Sequence, residues 1–243
     1  MEEIKISAGN YDLNKWLFGG YEKEIITTIY GPAGSGKTNL CMLAAVSQAK
    51  KSNKVIFIDT EGGFSTERFK QIAGQDYQNY LQNILLLKPT NFQEQKKDFE
   101  SLFNQLKKSK INLIIVDGMT MLYRLELGEA CKQKDEIKIQ ETNRELAKQL
   151  RILAEISRKK NIPIIITNQI YYSFLSEEEL KKGTEKTANM VGGDLLKYWS
   201  KCLIELQSNN GKRKAILRKH RSLPEKELPF IITSSGIRKR GLF

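Results

Sequence analysis

The sequence predicts an α/β fold: a mostly parallel central sheet flanked by helices, with antiparallel strands added at the C-terminal edge. Three observations predict it. Short apolar segments alternate with longer stretches of helical period. A glycine-rich turn joins the first strand to the first long helix, and after Val191 the alternation gives way to short strands and tight turns. Parallel-type strands are read at residues 24–30, 54–58, 84–87, 113–116 and 163–167. Helices are read at 37–51, 65–73, 92–108 and 136–160, where helix formers recur with apolar spacing. Asn91 is placed to cap the third helix, and Pro163 disfavours helix in the residue before it, ending the fourth. Residues 201–207, 214–219 and 230–233 read as edge strands, the first two joined through Asn209, Asn210 and Gly211. No linker or internal repeat interrupts the pattern, so residues 1–243 are read as one domain.

At 243 residues the chain can bury a full core. The apolar fraction of 40% and charged fraction of 28% exclude a disordered chain. Cys41, Cys131 and Cys202 are odd in number and far apart, so neither a disulfide framework nor a zinc cluster is expected. A lone histidine, His220, argues against triad or multi-histidine metal chemistry. No apolar run approaches the roughly 20 residues of a membrane span, and no secretory signal opens the chain, so a cytoplasmic location is expected. The anomaly is the charge. A net +12 and a sequence pI of about 9.5 point to an acidic partner such as nucleic acid.

The strongest signal is Gly31-Pro32-Ala33-Gly34-Ser35-Gly36-Lys37-Thr38, which fits G-x-x-x-x-G-K-[ST] between a strand and a helix. In such a loop, backbone N–H groups and a helix N-terminus cradle phosphates. Lys37 would reach the β- and γ-phosphates, and the Thr38 hydroxyl would ligate Mg²⁺. Asp117, closing the apolar run that starts at Leu113, is the expected second carboxylate near the metal. Glu61 follows the second strand; a water-polarising base and a helix N-terminal acid both suit it, and Glu67 suits the latter role as well.

Residues 212–243 hold ten Lys or Arg against two acids, densest at Arg218-Lys219-His220-Arg221 and 238–240. Such clusters either grip phosphates or form a solvated face. Residues 170–190 are long for a connector and set Tyr171, Tyr172 and Phe174 beside Lys181, Lys182 and Lys186. That combination suits stacking on single-stranded bases, or packing beneath the loop.

Taken together, residues 6–38, 57–68, 113–117 and 164–169, with Val191-Gly192-Gly193, resemble the ATPase core of the RecA/RadA recombinase family over about residues 4–236. The resemblance implies a RecA-like P-loop NTPase core that binds ATP and Mg²⁺. It implies that residues 31–38, with Asn39 after them, contact nucleotide, that Glu61 activates water, that Arg68 lies against the adenine, and that Gln169 senses the γ-phosphate. By position, 118–134, with Arg124, Lys132 and Lys134, resembles the family's first DNA-binding loop, and 170–190 the second. The helix-hairpin-helix domain and filament linker of full-length RadA are not expected here. Lys186-Thr187-Ala188-Asn189-Met190 stands where recombinases carry an Asp and prolines that cap a neighbour's ATP. The expected function is therefore an ATP- and DNA-binding accessory regulator of homologous recombination and repair with weak ATPase activity. RadA and a junction-cleaving nuclease are partners implied by the resemblance. The rival expectations are a full recombinase and a RecA-like ATPase acting on protein partners.

Overall fold

A computed structural model describes residues 4–172, 188–209 and 211–241. The elements run β1 (Lys5–Ile6), α1 (Tyr11–Trp16), β2 (Tyr21–Glu22), β3 (Ile26–Gly31), α2 (Lys37–Ala49), β4 (Lys54–Asp59), α3 (Thr66–Ala73), α4 (Tyr77–Leu81) and β5 (Ile84–Leu87). They continue with α5 (Phe92–Lys108), β6 (Ile111–Asp117), α6 (Met121–Lys132), α7 (Glu136–Lys160), β7 (Ile164–Tyr172) and β8 (Ala188–Met190). Then follow α8 (Gly193–Trp199), β9 (Ser200–Asn209), β10 (Lys212–Lys219), β11 (Lys226–Thr233) and β12 (Gly236–Lys239).

The long strands join one sheet in the order β12-β11-β10-β9-β3-β7-β6-β4-β5. From β9 to β5 all neighbours are parallel. From β9 to β12 all are antiparallel. The pleat sends alternate side chains to opposite faces, so one strand feeds two cores. In β6, Leu113 and Ile115 join Leu43, Phe57, Phe69 and Phe230 on one face. Ile114 and Val116 join Phe99, Leu150 and Leu153 of α5 and α7 on the other. Each such fully buried side chain contributes about 1.5–3 kcal/mol from burial. Among the described residues, no helix is long and apolar enough to cross a membrane.

Local chemistry explains the ends. Asn91 caps α5 by accepting from the Glu94 N–H at 2.9 Å, and Asp135 caps α7 by accepting from Lys138 N–H at 2.9 Å. Asn161 ends α7 in a left-handed conformation. Three expectations are corrected. Strand β3 starts at Ile26 because Glu24 has φ +63°, which breaks the extended run. Residues 118–134 are not a loop: Met121–Lys132 is helix α6, with Leu122, Tyr123 and Ala130 buried at helical spacing. Gly128 and the surrounding charges disguised it; the glycine meets nothing within 4 Å. The connector 170–190 is strand at both ends, since β7 runs on to Tyr172 and pairs antiparallel with β8.

Candidate functional site

The sheet order puts the carboxyl ends of β3, β6 and β7 side by side, with β4 beyond β6. Strand β3 ends at Gly31 and the loop 31–36 turns into α2, whose N-cap Gly36 sits at φ +106°, a conformation that favours glycine. Lys37 Nζ folds over this loop and donates to the carbonyls of Gly31 (3.0 Å) and Pro32 (2.9 Å). Burial pushes its pKa down, while Glu61 and Asp117 pull the other way. From β10, the Arg213 guanidinium reaches the Gly34 carbonyl at 3.3–3.4 Å and braces the loop tip.

Asp117 ends β6 almost fully buried and accepts from two hydroxyls. Thr38 Oγ1 donates to Oδ2 at 2.7 Å, and Thr167 Oγ1, from β7, donates to Oδ1 at 2.6 Å. Burial raises the Asp117 pKa; the two hydroxyls oppose that rise, and the nearby carboxylates of Glu61 and Asp59 add to it. Thr38 and Asp117 therefore meet side by side, as a metal-holding hydroxyl and carboxylate must. A Cβ built on Gly63 would lie 3.3 Å from Thr38 Oγ1 and 3.5 Å from Asp117 Oδ2, so this wall of the site packs closely on the hydroxyl–carboxylate pair.

Glu61 sits on a turn tied down from both sides. The Asp59 carboxylate accepts from the N–H groups of Gly63 (3.0 Å) and Phe64 (2.9 Å). Thr60 Oγ1 lies within hydrogen-bond distance of the Asp117 and Gly118 carbonyls, at 3.0 and 2.7 Å. Gly118, at φ +90°, has no space for a Cβ, which would strike Thr60 Oγ1 and the Glu61 side chain. Across the cleft, Gln169 Nε2 donates to Glu61 Oε2 at 3.0 Å. Beneath them Asn168 bonds the Thr120 hydroxyl and the Val191 carbonyl, linking the start of α6 to the turn before α8.

These groups open onto a cleft of about 430 Å³ lined by the loop, Asn39, Glu61, Arg68, Gln169 and Ile232, among others. Arg68 is held in place rather than solvated. Nε and Nη2 donate to Asn39 Oδ1 at 2.9 and 2.6 Å, and Nη1 donates to Gln71 and to the Ser234 carbonyl. Asn39 Nδ2 is buried without a partner among the described residues, an unused donor in the cleft wall. The donor set, the hydroxyl–carboxylate pair and that spare donor fit a nucleoside triphosphate with Mg²⁺.

The expected polynucleotide contacts fall in several places. Arg124 and Lys132 stand on α6, Lys132 paired with Glu129 at 3.3 Å, and Lys134 follows the helix. Tyr171 is exposed at the end of β7, and Tyr172 is the last residue of that strand. Lys181 and Lys182 lie outside the described residues. The 218–221 group is largely engaged within the chain. Arg218 spans Glu205 and Glu225, both at 2.6 Å, and Arg221 binds Glu22 at 2.5 Å. Lys219 donates to the Lys197 carbonyl, and the His220 ring, only 2% exposed, lies against Glu22.

Thr167, Asp59, Thr60, Gly118 and Arg213 are the residues that sequence reasoning missed. Thr167 carried one signal, a hydroxyl closing the apolar run Ile164-Ile165-Ile166. The Rad51 family model matches residues 1–240. The chain belongs to the Rad51 family. Similar proteins include the DNA repair and recombination proteins RadB of Methanobrevibacter smithii (39% identical, 94% of this chain and 93% of that protein) and Methanosphaera stadtmanae (39%, 98% and 97%). RadB of Methanocaldococcus jannaschii is 40% identical, covering 93% of this chain and 98% of its own length. In this Rad51-family chain the glycine-rich loop 31–36 lies at the carboxyl edge of the parallel sheet.

Proposed function

We propose that this Rad51-family chain is an ATP-binding, DNA-binding accessory protein of homologous recombination and repair, a nucleotide-gated regulator with weak ATPase activity. The observation that carries the reading is the bonded set Thr38–Asp117–Thr167, standing beside Lys37 and the Glu61–Gln169 pair. When bound, Mg²⁺ would offset charge on the β- and γ-phosphates. Thr38 and Asp117 would hold it. Lys37 would leave the Gly31 and Pro32 carbonyls for the phosphate oxygens, and the backbone N–H groups of the loop would cradle them.

Glu61 would accept a proton from the water that attacks the γ-phosphorus as the bond to the ADP oxygen breaks. Its present partner, Gln169, is rooted on β7, and the same strand runs two residues on to Tyr171. A change in what Glu61 holds is thereby passed to the β7–β8 hairpin, where polynucleotide contact is proposed. Slow turnover follows from the sequence before Gly192-Gly193, which lacks the acid and prolines that complete a neighbour's site in recombinases. Groups supplied in trans can be worth roughly 10³–10⁵ in rate. A RadA-type recombinase and a junction-cleaving nuclease are the protein partners proposed with this role. The test is ATP turnover and strand exchange by the isolated protein, with Glu61→Gln alongside. Slow turnover that falls further in the variant, with no strand exchange, is the expected result; robust ATP-driven strand exchange overturns the regulator reading.

A further inference from the structure

The amino ends of the sheet strands, opposite the phosphate loop, form a second and different surface. A trough there of about 580 Å³ is lined by Lys23, Lys107, Lys108, Lys110 and Lys160, and no carboxylate lines it. Among the described residues none of these five is ion-paired, whereas elsewhere Lys138, Lys148, Lys159 and Lys214 each meet a glutamate within 4.0 Å. Lys107, Lys108 and Lys160 occupy the last turns of α5 and α7, where a cation complements the helix dipole. That accounts for three of the lysines. It leaves Lys23 and Lys110 unexplained, and the aromatic pair next door.

The trough adjoins two smaller grooves through Lys23–Glu24 and the last turn of α7. Both are lined by Arg158 and Trp199; one adds Tyr198 and Lys201, the other Arg151. Tyr198 is 71% exposed and meets Trp199 edge-on, with ring centroids 5.4 Å apart. Two acids border these grooves, Glu24 and Glu155, and Glu155 is already bound by Lys159 at 2.7 Å. Lys219 closes the far side of α8 through its bond to the Lys197 carbonyl. The face thus offers a run of cations beside the exposed Tyr198 ring, which is braced edge-on by the half-buried Trp199. Cations alone grip phosphates of any nucleic acid, and exposed rings add stacking that only unpaired bases satisfy.

We infer that this face is a second binding track for single-stranded nucleic acid, with the backbone in the lysine trough and a base stacked on Tyr198, whose ring Trp199 holds in place. The inference rests on the reading that the chain binds polynucleotide, but it places contact at the end of the sheet away from the nucleotide cleft. The test uses the full chain, fluorescein-labelled oligothymidylate and a labelled duplex across a salt series. The variants are Tyr198→Ala, the triple change Lys107→Glu, Lys108→Glu, Lys110→Glu, its Gln counterpart, and Tyr171→Ala at the cleft end. Tyr198→Ala should weaken oligothymidylate binding by about 5- to 150-fold and spare duplex. The Gln triple variant should reduce the slope of log K against log salt by about 2, the share of three phosphates on a single strand, and the Glu variant by at least as much. Oligothymidylate should also quench Trp199 emission. Unchanged affinity in both Tyr198→Ala and the Gln triple variant, each with wild-type melting temperature, overturns the inference. If Tyr171→Ala alone weakens binding, the track fails while the proposed function stands. If the wild-type protein binds neither probe, both fall.

Discussion

At the carboxyl ends of β3, β6 and β7, polar groups are bonded to one another: the buried Asp117 to two threonines and, at the open mouth of the cleft, Glu61 to Gln169 and Arg68 to Asn39. At the amino ends, Lys23, Lys107, Lys108, Lys110 and Lys160 are not ion-paired among the described residues and line an open trough. The two ends are roughly 20 Å apart, the length of a six-residue strand. The difference teaches what each end can do. Groups fixed by mutual bonds hold one geometry, which recognition of a triphosphate requires. Unpaired cations on flexible stems take a polyanion in many registers, with affinity set by salt.

Changes at the cleft end should move nucleotide readouts and leave the lysine trough indifferent. The largest effect is expected from Glu61→Gln, which should lower ATP turnover about 10²–10⁴-fold while ATP still binds; turnover at the wild-type rate removes Glu61 from the chemistry. Lys37→Ala should weaken ATP binding about 100-fold, the loss of a charge-assisted contact to phosphate, read by calorimetry. Unchanged affinity would place the nucleotide elsewhere. Gly118→Ala combines a positive φ with a Cβ pressed on Thr60 and Glu61, so the melting temperature should drop by roughly 3–10 °C. A drop with no change in turnover would show that Glu61 is not positioned by this turn.

The smallest effect concerns the opposite end. Burial holds His220 below its ordinary value of 6.5; Lys5, Arg221 and Lys226 push the same way, and Glu22 opposes them. The native ring therefore binds fewer protons than the unfolded one below pH 6.5. Stability contributed by this group is full above that pH and declines as pH falls through 6.5 toward the depressed native value. Melting temperature should decline between pH 7.5 and 5.5, and less steeply in His220→Gln. Identical slopes would mean the ring titrates freely.

Much of this was legible in the sequence because the signals were local. Asn91 before α5 and Pro163 after α7 marked helix ends that the structure reproduces residue for residue. The phosphate loop carried its own spacing, and the Asp117 run its own strand end. Helix α6 was misread because Gly128 and the charges around it hid the buried positions Leu122, Tyr123 and Ala130. What no local pattern carries is strand order. Only when β7 lies between β3 and β6 does Thr167 meet Asp117, and only with β10 antiparallel to β9 does Lys219 fall at the end away from the phosphate loop. The basic tail read as one cluster divides in space: Arg213 braces the phosphate loop while Lys219 touches α8 at the opposite end.

The most direct test of the central claim is calorimetric titration of the protein with ATP, with and without Mg²⁺, beside Asp117→Asn. One ATP per chain, bound more tightly with Mg²⁺ and losing that enhancement in the variant, is the predicted result. Absence of binding heat, or binding indifferent to both Mg²⁺ and Asp117, would contradict it.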